Sequence, residues 1–340
     1  MMKKRKIVLA AALSVAAILT GCSKTEAPQA ADSSGKLQIV STSFPAYDWT
    51  REILGEHAED VELTLLNADG IDLHSYQPSA EDMLRIRTCD LFIYVGGPSD
   101  TWVTDALRDS DNPKQHAISL LELMGDGVKE EEMVEGMQEA DHDHDHEDTH
   151  DHESEATHEH EGEPDEHVWL SLKNAQTLCS GITGSLSEID PSHAAEYQKN
   201  SESYLQKLQQ LDTAYQAAVE AGARDTLLFC DRFPFRYLVD DYGLTYYAAF
   251  SGCSAETEAS FETIAFLADQ VNQLNLPSVL TIEGATHDIA DTVVRSTSTQ
   301  SQTILTMDSM QSVTSADIAA GATYLSIMEG NLETLKQALS

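Results

Sequence analysis

Residues 190–221 read DPSHAAEYQKNSESYLQKLQQLDTAYQAAVEA, and this stretch decides the architecture. Asp190 as N-cap and Pro191 in the first turn predict a helix start, and no proline or glycine follows before Gly222. Tyr197, Tyr204, Leu208, Leu211 and Tyr215 mark one face, so a single amphipathic rod is expected over residues 190–222. About 30 residues at 1.5 Å each make roughly 45 Å of helix. A rod of that length joining two halves limits hinge closure between them.

On both sides of the rod, short β-branched or aromatic runs alternate with amphipathic stretches. In the first half, strands are predicted at Leu37–Ser43, Asp60–Leu66, Asp90–Gly96 and His116–Leu120, with helices at Tyr47–Leu54, Ala80–Arg87 and Asp100–Arg108. In the second half, strands are predicted at Thr226–Cys230, Leu244–Phe250, Ser278–Ile282 and Thr303–Met307, with helices between them. A closing helix is predicted over Ala316–Leu339, with Ile318, Ala322, Leu325, Met328, Leu332 and Leu335 as one buried stripe. This rhythm predicts an α/β fold of two lobes (residues 37–189 and 223–340), each a four-stranded, mostly parallel sheet with flanking helices.

The chain has 340 residues, with 20 basic against 58 acidic side chains and a formal charge of −38. Such a chain repels nucleic acid and anionic membrane surfaces and attracts cations. Thirteen histidines narrow those cations to metals. The apolar fraction of 41% is enough for folded cores.

The first 22 residues form an address. Lys3, Lys4, Arg5 and Lys6 precede an apolar run of 13 residues, Ile7 to Leu19, too short to span about 30 Å of hydrocarbon. Leu19-Thr20-Gly21-Cys22 resembles a bacterial lipobox, which implies lipidation of Cys22 and an exported chain held at the outer face of the cell membrane. Residues 23–36 suit a flexible tether. The remaining cysteines are Cys89, Cys179, Cys230 and Cys253. Cys230 and Cys253 each end a strand-like run, so a disulfide between them competes with two buried free thiols.

Residues 121–166 break every pattern. Glu139–Glu166 carries 14 acidic side chains and seven histidines, His142, His144, His146, His150, His152, His158 and His160. Without a hydrophobic face, a disordered acidic loop is expected over about residues 125–164. Imidazoles among carboxylates suit weak auxiliary capture of transition metals.

Ligands of open parallel sheets bind beyond the carboxyl ends of the strands. His74 lies in the loop after the second predicted strand, and His167 ends the acidic insertion. In the second half, Cys230-Asp231-Arg232, Glu283 and Asp308 follow strands. Two neutral imidazoles and two carboxylate oxygens suit a first-row divalent ion. His57, His116, His193 and His287 read as solvent-exposed.

Over about residues 37–340, these features resemble the metal-specific substrate-binding proteins of ABC importers (cluster A-I), the zinc and manganese group. The resemblance rests on Leu73-His74-Ser75-Tyr76-Gln77-Pro78, on Glu166-His167-Val168-Trp169-Leu170 with Asn174-Ala175, on the acidic His-rich loop, on the long helix, and on Leu305-Thr306-Met307-Asp308. It implies His74, His167 and Asp308 as metal ligands. Zinc-type members carry a further histidine before a Tyr-Gly-Leu segment. Here Phe229-Cys230-Asp231-Arg232-Phe233-Pro234-Phe235 precedes Tyr242-Gly243-Leu244 and no histidine is present. Asp231 is the substitute, with Cys230 or Glu283 as alternatives, and Arg232 can instead pair with Asp231 or Glu283.

Two histidines with two carboxylates look like the manganese-type members. The His-rich loop looks like the zinc-type members and outweighs them, because manganese has little use for imidazole clusters. The resemblance therefore implies zinc, with Mn2+ as the alternative and nickel behind it. The implied partners are an ABC permease and its ATPase, with the chain a lipid-anchored monomer that binds no nucleic acid. It would hand over the ion without a chemical step, as a transport protein and not an enzyme. A metalloenzyme with Glu283 as base is disfavoured because no His-Glu-x-x-His cluster is present. A His-rich surface metal store or adhesin, without a transport role, is the other reading.

Overall fold

A strand buried on both faces is apolar throughout, as a helix-covered parallel sheet demands. Leu91–Ile93 is wholly apolar and buried, and Ser278–Ile282 is buried at every position with Val279, Leu280 and Ile282 as its apolar residues. The computed structural model describes residues 35–138, 162–254, 258–284 and 286–340. Cys22, its apolar run and the seven loop histidines lie outside these residues.

The first lobe contains β1 (Leu37–Ser41), α1 (Phe44–Leu54), β2 (Val61–Leu65), α2 (Ala80–Thr88), β3 (Leu91–Tyr94), α3 (Val103–Arg108), β4 (His116–Ser119) and α4 (Leu120–Met124). Two helices follow, α5 (Leu172–Ile189) and α6 (Ala194–Ala221). The second lobe contains β5 (Thr226–Phe233), α7 (Arg236–Tyr242), β6 (Thr245–Ser251), α8 (Phe261–Leu274), β7 (Ser278–Ile282), α9 (Asp288–Ser296), β8 (Thr303–Met307), α10 (Ser315–Ala319) and α11 (Tyr324–Ala338). Each lobe holds one four-stranded sheet, ordered β2-β1-β3-β4 and β6-β5-β7-β8. All pairings are parallel. The expected α/β architecture is therefore present in both halves.

Several boundaries differ from expectation for physical reasons. The long helix starts at Ala194, because Asp190 ends α5 and its carboxylate accepts from Ser192 Oγ, His193 Nδ1 and Tyr197 Oη. The closing helix is broken in two. Gly321 takes φ +100, and a Thr323–Ser326 capping box starts α11 afresh. Residues 125–138 and 162–164, expected within a disordered insertion, have a defined place. Glu130 and Pro164 form an antiparallel bridge, Glu131 N donates to Glu163 O and Asp165 N donates to Lys129 O, both at 2.8 Å. Backbone pairing of this kind leaves no side-chain period to read. The β5 register shifts between Phe229 and Arg232, a bulge at the carboxyl end of the strand that re-aims Asp231.

One hydrophobic core runs through both lobes. It joins Ile39 and Trp49 of the first lobe, Tyr204, Leu208 and Tyr215 of α6, and Leu280, Met307 and Leu335 of the second. Polar bonds stitch the same seam. Tyr215 Oη donates to Met328 O and Tyr324 Oη to Trp169 O, both at 2.7 Å, and Tyr324 N donates to Asp48 Oδ2 at 2.8 Å. Asp48 is fully buried, and burial pushes its carboxyl up to about 6 against the pull of the Tyr324 bond and Arg51. A shared core and a continuous helix leave room only for small lobe movements. Among the described residues, no helix is long and apolar enough to cross a membrane.

Candidate metal centre

His74 sits in a single tight turn, Leu73–Ser75, after β2. Asp72 caps the turn by accepting His74 N at 3.0 Å, and buried Leu73 pins it to the core. His167 precedes a second tight turn, Val168–Leu170, whose three side chains are fully buried. Trp169 Nε1 donates across the lobes to Ser309 O at 2.8 Å. Each histidine is therefore held by a neighbour that is locked into the core.

Both imidazoles are oriented from behind by a buried acid. His167 Nδ1 lies 2.8 Å from Asp165 Oδ1, which also accepts His167 N at 2.9 Å. His74 Nδ1 lies 2.7 Å from Ser99 Oγ and 3.0 Å from Glu166 Oε2. Glu166 also accepts Ser99 N at 2.7 Å and Ser99 Oγ at 2.6 Å. Glu166 fits only because Gly97 lacks a Cβ, which would lie 2.2 Å from Glu166 Oε1. These partners place a proton on Nδ1 of both rings and turn each Nε2 towards the other, where the pair can share a proton or bind a cation. The two Nε2 atoms face each other at 3.1 Å. Two lone pairs that close repel unless a proton or a cation lies between them.

The local charges agree. Burial disfavours a charged His167, but Asp165, through its charge and its hydrogen bond, outweighs it with help from Glu166 and Glu131, so the pKa is raised. Burial also opposes ionisation of Glu166, yet bonds from His74 and Ser99 hold its carboxyl below the usual range. The site thus sets Glu166, held ionised, and Asp165 behind two imidazoles, a place that favours positive charge.

The second lobe adds a third donor. The turn after β6 brings Cys253 against the two rings. His74, His167 and Cys253 offer three ligand atoms all within 4.8 Å of one another, the one such group of three or more among the described residues. Asp231, Glu283 and Asp308 are not members of that group. Asp231 accepts Arg232 N at 2.8 Å and Ile282 N at 3.3 Å, so its two oxygens hold the β5 bulge. Asp231 and Glu283 line a cleft of about 430 Å³ together with Asp72, Ser75, Arg232 and His287. Glu283 accepts Ser309 N and Oγ. Burial, and then the neighbouring Asp308 charge, push the Glu283 carboxyl up, and burial raises Asp231 and Asp308. Arg232 pairs with neither of its expected partners. Its Nη2 donates to Asp72 Oδ2 at 2.6 Å, from one lobe to the other.

Among the described residues, the four cysteines are free. Cys89, Cys179 and Cys230 are buried among apolar groups. Cys230 packs in an apolar cluster with Leu228, Phe250 and Val279, away from the imidazoles, and serves as a packing group. Cys253 is only partly buried. Burial, then Glu131, Glu166 and Asp165, hold its thiol well above the usual range. Of the histidines read as solvent-exposed, His287 is exposed, whereas His57, His116 and His193 are half-buried beside Glu196, Glu188 and Asp190. Sequence reasoning missed Ser99, Glu131 and Cys253 as parts of the site. The only available signal was their position after a strand or at the rim of the insertion.

Comparison with known proteins points the same way. The model of the family "ZnuA: Zinc-uptake complex component A periplasmic" matches residues 39–338. The zinc-binding lipoprotein AdcA of Streptococcus pneumoniae is 32% identical over 333 residues, covering 98% of this chain and 61% of that protein. The chain thus spans about three fifths of the length of that relative. The high-affinity zinc uptake system protein ZnuA of Bacillus subtilis is 29% identical over 95% of this chain and 94% of its own length. The crystal structure of the Zn(II)-bound ZnuA-like domain of S. pneumoniae AdcA superposes with a TM-score of 0.67 at 30% identity, covering 90% of this chain and 99% of that one. With two parallel-sheet lobes, paired imidazoles at their seam and a family match over nearly the whole described fold, the chain belongs to the periplasmic zinc-uptake complex component A family.

Proposed function

We propose that this protein captures zinc outside the cytoplasm and delivers it to a membrane ABC permease and its ATPase for uptake. The observation that carries this reading is the pair of Nε2 atoms 3.1 Å apart, each on a ring backed by a buried acid. Tetrahedral zinc at about 2.0–2.1 Å from each nitrogen sets its ligands roughly 3.3 Å apart. The rings therefore already stand at coordination distance. The names of the zinc-binding relative in S. pneumoniae and of the zinc uptake relative in B. subtilis support the choice of ion.

His74 and His167 are the first-lobe ligands. Asp308 supplies an oxygen from the second lobe after a small closure, with Asp231 the lesser donor because its oxygens hold the bulge. Glu283 and Asp231 make the cleft attractive to cations. The seven loop histidines gather zinc weakly and raise its local concentration near the cleft. A lipid on Cys22 holds the chain at the membrane. No bond to a substrate is made or broken, so the protein is a carrier.

The test is zinc competition titration of the purified full chain at neutral pH. His74→Ala and His167→Ala should each weaken the tight site at least about 100-fold, more than the roughly 10–100-fold cost of removing an outer-shell partner. Unchanged tight binding in both variants overturns the reading. Manganese competing as strongly as zinc favours the manganese-type alternative.

A further inference from the structure

We propose that the thiolate of Cys253 binds the ion directly, so that the site of this chain is two imidazoles and one sulfur, and that this sulfur sets its preference for zinc over manganese. The proposal rests on the zinc-capture reading and specifies its third ligand. Cys253 is placed by its surroundings and not by sequence. Its N–H donates to Glu131 Oε1 at 2.8 Å. Gly252 lets the turn close, since a Cβ there would lie 2.9 Å from Phe233 O and 3.0 Å from His167 Cε1. The result is a sulfur from the second lobe within 4.8 Å of imidazole nitrogens of His74 and His167 from the first. Zinc–sulfur bonds of about 2.3 Å and zinc–nitrogen bonds of about 2.0–2.1 Å fit a group of that size.

A packing role explains the other three thiols, which are buried among hydrophobic side chains. It does not explain Cys253, which faces two imidazoles and a carboxylate. Coordination balances simply: the S–H proton passes to solvent as the S–Zn bond forms. Thiolate is a soft donor that favours zinc, whereas manganese favours carboxylate and water. The sulfur thus answers the missing third histidine, with Asp308 left for the fourth tetrahedral position.

Cobalt(II) is the probe. Loaded on the full chain, it should give an intense near-ultraviolet sulfur-to-cobalt charge-transfer band. Cys253→Ser should remove that band and weaken zinc roughly 100-fold while changing manganese affinity little. Cys230→Ser should keep the band. Melting curves recorded in chelator should show that Cys253→Ser folds like the parent. Cobalt bound without the band, or zinc affinity unchanged in Cys253→Ser, overturns the sulfur ligand. If that happens while His74→Ala still abolishes tight binding, zinc capture at the seam stands and only the thiolate falls.

Discussion

Glu166→Gln removes one charge and almost no volume at a fully buried position. In the parent, Glu166 Oε2 lies 3.0 Å from His74 Nδ1 and accepts Ser99 Oγ at 2.6 Å. Glutamine can keep the bond from Ser99 N through its oxygen, but its NH2 then faces two donors. His74 relieves the clash by moving its proton to Nε2, the nitrogen that must bind the ion. Zinc then has to displace that proton and re-form the unfavourable pairing behind the ring. Losing an outer-shell partner of this kind costs roughly 10–100-fold in metal affinity, or about 1.4–2.7 kcal/mol at 1.36 kcal/mol per decade. Isothermal titration against a zinc chelator measures it directly. Glu166→Gln should bind zinc 10–100-fold more weakly, and Ser99→Ala should move the same way because Ser99 links the acid to the ring. An affinity within twofold of the parent in Glu166→Gln would show that His74 needs no acid behind it and would refute the tautomer argument.

Three further outcomes follow from the same geometry. Asp48 has its folded pKa raised from 3.8 to about 6, so its ionisation disfavours the fold: stability is full below the unfolded value and declines as pH rises through about 6. Raising the carboxyl that far is worth up to about 3 kcal/mol, and urea unfolding of Asp48→Asn should show a flatter profile between pH 4 and pH 7 than the parent. Arg232→Met removes the 2.6 Å pair that ties the lobes at Asp72. A hydrogen bond to a charged group is worth about 1.5–3 kcal/mol, so stopped-flow chelation should find faster zinc release, and an unchanged rate would deny the pair any latching role. Replacing residues 139–161 with a short Gly-Ser linker should abolish the weak zinc equivalents and leave the tight one; loss of the tight equivalent would place the main site on the loop.

The sequence disclosed the fold wherever periodicity and burial coincide. β7 and β8 have the predicted ends, because both are short runs rich in β-branched and aliphatic residues between polar stretches. Where capping chemistry can serve either end of a helix, it misled: Asp190 closes α5 and also bonds the turn that opens α6. The break at Gly321 interrupts a stripe that looks continuous, since a period of 3.6 survives one glycine on paper. The structure brings His74 and His167 together, and both were candidates in the sequence through their places beyond the strands and through the resemblance of their motifs. Cys253 was not legible in this way. Its partners are far away in sequence, and only the turn after β6 reveals which thiol meets the imidazoles. Glu131 was hidden for the same reason, inside a stretch with no side-chain period.

The most direct measurement is a crystal structure of the zinc-loaded full chain with anomalous data collected at the zinc edge. One strong peak is expected at the seam of the lobes, within bonding distance of His74 Nε2 and His167 Nε2. Zinc peaks only along residues 139–161, with the two imidazoles unliganded, would contradict it.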